Sequence, residues 1–287
     1  MNKKLALALS GGGSRGALQV GALYAVLEAG IHPDFLIGAS IGAVNATFLA
    51  LNGFSKDSLD RLAAGWRSAG ASDLMPTNYI WLTLRAMFNR SSSDPSHRLR
   101  NFFIDQGVAP ELSFMDITQP KLVIVSADLN TGKPILHGED PEDKILDALL
   151  LSTALPPWYK PVKKQDRYLM DGGAVSNLPV EPALNLGATQ IVALDLLDSR
   201  ETIGEGSGFR GFLDRLIFTV EKRQLDLELA LAEARRIPIL YLGLTGKFPV
   251  PMWDFQYTDG LITQGYEIAQ SAIENQRSTN PILASRE

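Results

Sequence analysis

The 287-residue chain has no cysteine, which removes disulfides and thiolate metal sites but points to no compartment. Histidine is scarce, with His32, His97 and His137 making up the full set. Long apolar runs are missing too, and nothing approaches the ~20 apolar residues that span a bilayer. Positive charge does not dominate: 27 Lys and Arg stand against 32 Asp and Glu, a net charge of −5. A polyphosphate partner calls for clustered bases, so this balance argues against nucleic acid. The opening segment, with Lys3 and Lys4 before Leu5 to Leu9, imitates a secretory leader. Its apolar run is short, however, and meets three glycines instead of a small-residue cleavage site. It reads as a buried strand, and the expectation is a cytoplasmic protein, peripheral to the inner membrane face at most.

Hydrophobic residues make up 45% of the chain, enough for one large core, so residues 1–287 are expected to form a single domain. Short apolar segments at 3–9, 34–37, 121–128, 134–137, 167–170, 189–196 and 237–244 read as strands. Between them, periodic stretches at 15–29, 41–51, 55–69, 97–104, 142–152, 209–236 and 259–275 read as helices. The longest carries an apolar stripe of Phe209, Phe212, Leu213, Leu216, Val220, Leu227 and Leu231. Residues 70–116 are less regular and read as an insertion or lid over the site. Residues 204–208 read as a flexible linker opening a C-terminal helix–strand–helix portion, 204–287. The three prolines of "ALPPWYKPV" exclude regular structure there. Strands alternating with helices, most strands apolar throughout, predict a three-layer α/β/α fold on a mainly parallel sheet.

Sites in such folds form beyond the carboxyl ends of strands. Three loops leave strand ends here. The first, "SGGGSRG", places Gly11, Gly12 and Gly13 before a helix, where uncovered amides and the helix dipole favour an anion. That anion could be a phosphate or a developing oxyanion. The same letters fit a dinucleotide fingerprint, but the second strand ends in Gly38-Ala39-Ser40 and not in the acid that would hold a ribose. The second, "GASIGA", has the G-x-S-x-G spacing of a nucleophile elbow, with Gly38 and Gly42 permitting the reversal that exposes Ser40. Alternatively, Ser40 only caps a closely packed helix. The third, "YLMDGG", ends an apolar strand in Asp171 before Gly172 and Gly173, where a carboxylate can lie low in a cleft; by itself it reads first as an ordinary Asp-Gly turn.

A serine nucleophile ordinarily leans on histidine, and no histidine is well placed. His32 lies at the far end of its strand, His97 in a polar segment, and His137 at the end of a hairpin strand. Each reads as a surface or turn residue. An aspartate could act directly on the serine if burial lifted its carboxyl from ~3.9 toward neutrality.

The blocks "LALALSGGGSRGALQVGAL", "GASIGAVNA" and "LMDGGAVSNLPV", with "LSTALPPWYKPV" before the last, resemble the signature of the patatin-like phospholipases over about residues 3–197. The resemblance implies hydrolysis of lipid acyl esters by a Ser–Asp dyad, with Ser40 as nucleophile and Asp171 as base. Gly11, Gly12 and Gly13 would supply oxyanion-hole amides, and Arg15, Gly16, Gly38, Gly42, Gly172 and Gly173 would support the motifs. No cofactor or metal is implied. The partners are a lipid or acyl ester and, transiently, a membrane surface. Residue 10 is Ser where plant members carry Asp, which leaves substrate choice open. Tyr79, Trp81, Phe88 and the segment "FPVPMWDFQY" (248–257) read as packing, with contact to acyl chains or a membrane as the alternative.

Overall fold

The computed structural model describes residues 3–70, 96–155, 159–197 and 208–284. Among the described residues eight strands form one sheet: β1 (Leu5–Leu9), β2 (Phe35–Ala39), β3 (Lys121–Asp128), β4 (Lys133–His137), β5 (Val162–Lys164), β6 (Arg167–Asp171), β7 (Gln190–Leu197) and β8 (Ile239–Thr245). Their order is β5-β6-β3-β2-β1-β7-β8, with β4 also paired to β3. The run β3-β2-β1-β7-β8 is parallel. β4, β5 and β6 pair antiparallel, so the sheet is mixed around a parallel centre. The helices are α1 (Gly16–Glu28), α2 (Ile41–Asn52), α3 (Lys56–Gly70), α4 (Ser96–Asp105), α5 (Ile145–Ser152), α6 (Val180–Asn185), α7 (Gly208–Ala234), α8 (Thr258–Gln276) and the short α9 (Pro281–Ala284).

The two faces of the sheet are built from different side chains. Strand alternation sends Leu5, Leu7 and Leu9 to one face, into a core with Leu18 and Leu23 of α1, Leu49 of α2 and Leu59 of α3. Ala6 and Ala8 face the other way, with Ile37, Val125 and Ala193, toward Val180 and Ala183 of α6 and Ala232 of α7. This gives the expected three layers.

The part of the 70–116 segment described from Ser96 onward packs into the core through Phe103 and Phe114, and Phe102 and Phe103 also line the cavity at Ser40. Other expectations change. Residues 71–95, including Tyr79, Trp81 and Phe88, lie outside the described residues, as do 204–207 of the expected linker. The helix expected from Glu142 starts at Ile145, because the 112–115 turn takes the carbonyls before it. Met115 N donates to Pro141 O and Phe114 N to Asp143 O. Strand β5 forms directly after the last proline of "ALPPWYKPV", where the backbone regains its N–H donors. The long helix runs from Gly208 to Ala234, and its expected stripe holds only at Leu231; the side chains of Phe209, Phe212 and Leu213 lie outside the described residues. Leu216, Val220 and Leu227 are exposed, whereas Leu225, Glu228, Leu231 and Ala232 turn inward.

Helices α1 and α8 meet backbone to backbone. A Cβ at Gly21 would overlap the Ile262 carbonyl, and one at Gly265 the Leu18 carbonyl. Helix propensity favours alanine over glycine by ~1 kcal/mol, whereas overpacking costs ~1–3 kcal/mol or more. Gly265→Ala is therefore expected to lower the unfolding free energy measured in urea. A stabilised variant would show that the two helices are not in this close contact.

Candidate active site

Sheet register brings the three loops together. β3 pairs with β2 in parallel, with Val125 opposite Ala39, and with β6 antiparallel, with Ser126 opposite Asp171. Ser40, one residue past Ala39, therefore comes to lie beside Asp171, although the two belong to strands that never pair. β1 ends next to β2 and delivers the glycine loop to the same place.

Ser40 sits between strand and helix at φ 53, ψ −127, a left-handed conformation that side chains rarely adopt. The strand and helix close on each other through glycine: a Cβ at Gly38 would overlap the Gly42 backbone, and one at Gly42 the Leu9 carbonyl. The turn is pinned by Ser152 of α5, whose Oγ accepts from Ser40 N at 2.9 Å and donates to Val125 O at 2.6 Å. Ser40 Oγ donates to Asp171 Oδ2 at 2.7 Å. Asp171 Oδ1 accepts the Gly173 amide at 2.9 Å, and its backbone N–H donates to Ala154 O. Gly172 packs against the Val125 carbonyl, where no side chain would fit.

Burial pushes the Asp171 carboxyl up to about 6, against the opposing pull of the Ser40 hydroxyl and the Gly173 amide. The histidines are elsewhere. His32 and His97 are exposed. His137 is buried, not a surface residue: it ends a strand otherwise exposed or half-buried, and there it pairs with Ile124 of β3. Its Nε2 lies 2.8 Å from Ser126 Oγ, and burial depresses its pKa to about 4. It is a neutral partner of Ser126 and does not reach Ser40.

The glycine loop is a turn of 3₁₀ helix over Gly13–Arg15, with Gly13 at φ 60. Its amides are not equivalent. The Gly11 N–H donates to Asn177 O at 3.1 Å, which anchors the loop to the segment after Asp171. This corrects the expectation that Gly11 offers its amide to a ligand. Among the described residues, the amides of Gly12 and Gly13 have no such partner. The Arg15 Nε donates back to the Gly12 carbonyl, and Gly16 packs against the Trp66 ring. Ser10, in place of the plant-type aspartate, donates its Oγ to Asp195 of β7 and accepts from Leu196 N. A carboxylate thus still stands at this corner, supplied by a neighbouring strand.

Ser40, Asp171, Gly11, Gly12, Gly13, Arg15 and Gly173 all line one cavity of about 670 Å³. Away from Ser40 its wall is apolar, with Val44, Phe48 and Leu51 of α2, Leu62 and Trp66 of α3, and Phe102 of α4. Met252, Trp253 and Phe255 of the 248–257 segment also line it, while Phe248 and Tyr257 are exposed. Ser152, Asn177 and Asp195 were not legible as site residues, because each acts through a backbone or across a strand. A second group, Gln19 with Ser10 O and Asn45, and Asn45 with the Trp66 Nε1, ties the loop to the cavity wall. Among the described residues no group of three or more His, Asp or Glu is placed to hold a metal ion, and no helix is long and apolar enough to cross a membrane.

Comparison with known proteins defines the class. The family profile described as patatin-like phospholipase matches residues 7–184, and the chain belongs to that family. Patatin-like phospholipase domain-containing protein 7 of Mus musculus is 31% identical over 69% of this chain, which spans only 14% of that protein. An uncharacterized NTE family protein, MT2641, of Mycobacterium tuberculosis is 25% identical over 96% of the chain and 47% of its own length. Human GIVD cytosolic phospholipase A2, solved with methyl γ-linolenyl fluorophosphonate, shares the fold at a TM-score of 0.54 and 11% identity, covering 99% of this chain and 60% of that one.

The raised Asp171 carboxyl has a consequence for stability. A carboxyl with a higher pKa folded than unfolded binds its proton more tightly in the folded state. Stability is therefore lost as pH rises between about 4 and about 6. Asp171→Asn is expected to be more stable than wild type by about 1–3 kcal/mol above that window, with the gap closing below it. Urea unfolding at several pH values checks this; an Asn variant less stable at every pH would contradict it.

Proposed function

We propose that the protein is a serine lipid acyl hydrolase that cleaves carboxylic esters with Ser40 and Asp171. One observation carries the reading: a serine in a strained strand-to-helix turn donates a 2.7 Å hydrogen bond to a buried aspartate, with no histidine beside it. A base near pH 6 is suited to work at neutral pH, because its ionised form dominates yet still takes a proton in the transition state.

Asp171 Oδ2 takes the Ser40 proton as Oγ attacks the ester carbonyl carbon. The carbonyl π pair moves onto oxygen, where the Gly12 and Gly13 amides and the N-terminus of α2 receive the charge. The tetrahedral intermediate collapses, the C–O bond to the alcohol breaks, and the protonated Asp171 returns its proton to the departing oxygen. Water, deprotonated by Asp171, then attacks the acyl carbon; the bond to Ser40 Oγ breaks, Asp171 returns the proton to Oγ, and the acid is released. The apolar wall along α2 and α3 suits the acyl chain, so lipid esters, phospholipids or lysophospholipids among them, are the substrate class. Gly11 holds the loop to Asn177 and does not itself donate to the oxyanion.

Transfer of the acyl group to an alcohol other than water would use the same atoms. Product partition with an added alcohol separates the two, and hydrolysis is expected to dominate in water. A lipid-binding protein without turnover is the remaining alternative. In a lipid-panel hydrolysis assay, Ser40→Ala and Asp171→Asn are each expected to lower kcat by about 10³-fold or more while the fold is retained. Wild-type kcat/KM should fall on the acid side as Asp171 protonates. Activity in Ser40→Ala equal to wild type would end the enzyme reading.

A further inference from the structure

The proposed chemistry leaves three of the described buried carboxyls unused, Asp128, Asp195 and Glu228, and the last of them grips the site from outside it. Glu228 lies on α7, in the C-terminal third of the chain, beyond the region matched by the family. It is buried, and both oxygens are occupied: Oε1 accepts the Ser176 hydroxyl at 2.7 Å, and Oε2 accepts the amides of Val180 at 2.7 Å and Glu181 at 2.8 Å. Three donors converge on a single side chain from a helix far away in sequence. Gln224, one turn earlier on α7, donates to the Ala174 carbonyl, so two rungs of the same helix grip the segment after Asp171.

What this grip holds is Asn177. Glu228 takes its hydrogen bonds from both sides of that residue, at Ser176 and at Val180. The Asn177 carbonyl in turn accepts the Gly11 amide. Its side-chain Oδ1 stands where a Cβ at Gly11 or at Gly173 would have to lie. Asn177 is thus wedged between the glycine loop and the residue whose amide holds Asp171 Oδ1, and it lines the cavity. Moving Asn177 moves the base and the oxyanion amides relative to each other.

We propose that Glu228 is a positioning residue: through Ser176 and Asn177 it fixes the spacing between the Asp171 loop and the Gly11–Gly13 loop, and it does so fully only as a carboxylate. The inference rests on the reading of Ser40 and Asp171 given above. Only the ionised group accepts from all three donors at once. A protonated Oε1 becomes a donor toward Ser176 Oγ, and the Ser176 hydroxyl then loses its acceptor. Burial raises the Glu228 carboxyl to about 7, opposed by Ser176 and the Glu181 and Val180 amides and assisted by the charge of Glu181. Glu181 is the one ionisable residue that α6 brings to it. The 172–179 segment carries none, and its neighbours on α7, Gln224, Leu225, Leu231 and Ala232, are uncharged. The apolar side chains packed around this part of α7, Leu178 and Val180 among them, add no charge. The carboxylate is thus lost as pH falls through about 7, just above the range where Asp171 takes its own proton.

The experiment is the pH dependence of kcat and KM on a short acyl ester for wild type, Glu228→Gln, Ser176→Ala and Ser40→Ala. Wild type is expected to lose kcat on the acid side over two ionisations, the upper near 7 and the lower near 6. Gln mimics the protonated carboxyl, with its Nε2 turned toward Ser176. Glu228→Gln should therefore keep only the lower ionisation, with a plateau kcat about tenfold lower and KM within about twofold. A helix cap of purely structural value would lower the melting temperature and leave the shape of the profile unchanged. An acid limb in Glu228→Gln that coincides with wild type overturns the proposal. Should that variant fail to fold, Ser176→Ala retains both backbone donors and is expected to show the same loss of kcat at constant KM; an unchanged kcat there overturns the proposal equally. Ser40→Ala separates the two readings. If it is inactive while the Glu228 profile is unshifted, only this inference falls; if it is as active as wild type, both fall.

Discussion

The contact between Ser40 Oγ and Asp171 Oδ2 joins the residue just past β2 to the last residue of β6, two strands that do not pair with each other. It exists because β3 pairs with both and sets Ala39 and Asp171 at adjacent rungs, opposite Val125 and Ser126. A slip of one residue in either pairing would turn the side chain to the other face of the sheet. The apolar alternation of β1, β2 and β3 prevents that slip: Leu5, Leu7, Leu9, Leu36, Leu122 and Ile124 belong to one core, and Ala6, Ala8, Ile37, Ala39, Val123 and Val125 to the other. The site is in this sense a product of the core packing.

Two local costs are concentrated at this contact. Ser40 holds an unfavourable backbone conformation, and Asp171 is a carboxyl kept from water with two donors. Both persist because the surroundings leave no alternative: Ser152 fixes the turn from below, and glycines at 38, 42 and 172 let the backbones approach where a Cβ would collide. The same burial that destabilises the carboxylate moves its pKa toward the pH at which a base is useful.

Much of the fold was legible because its signals are local. Continuous apolar strands, Gly30 at the end of α1 and the repeated strand–helix alternation all read directly from the chain. The failures came where tertiary contacts override local pattern. The start of α5 was lost because a distant turn takes the Pro141 and Asp143 carbonyls. The stripe of α7 holds at Leu231 and fails at Leu227, because polar contacts to the 174–181 segment, with Glu228 at their centre, share its inward face. His137 looked like a hairpin end and is buried against Ser126. At the site, the residues with motif spacing were legible. Gly11 was misassigned, since its amide is already committed to Asn177, and no spacing rule reports which amide of a glycine run is free.

The central claim is that Ser40 is activated by Asp171 without a histidine. Labelling with an alkyl fluorophosphonate tests it most directly, because the reagent forms a stable bond only with an activated serine and does not depend on knowing the substrate. The measurement is the rate of adduct formation as a function of pH, with the modified peptide identified by mass spectrometry, in wild type and in Asp171→Asn. The account predicts one adduct, on Ser40, forming at a rate that rises as Asp171 ionises and is largely lost in Asp171→Asn. An adduct on another residue, or labelling of Ser40 at the same rate with Asn at 171, would contradict it.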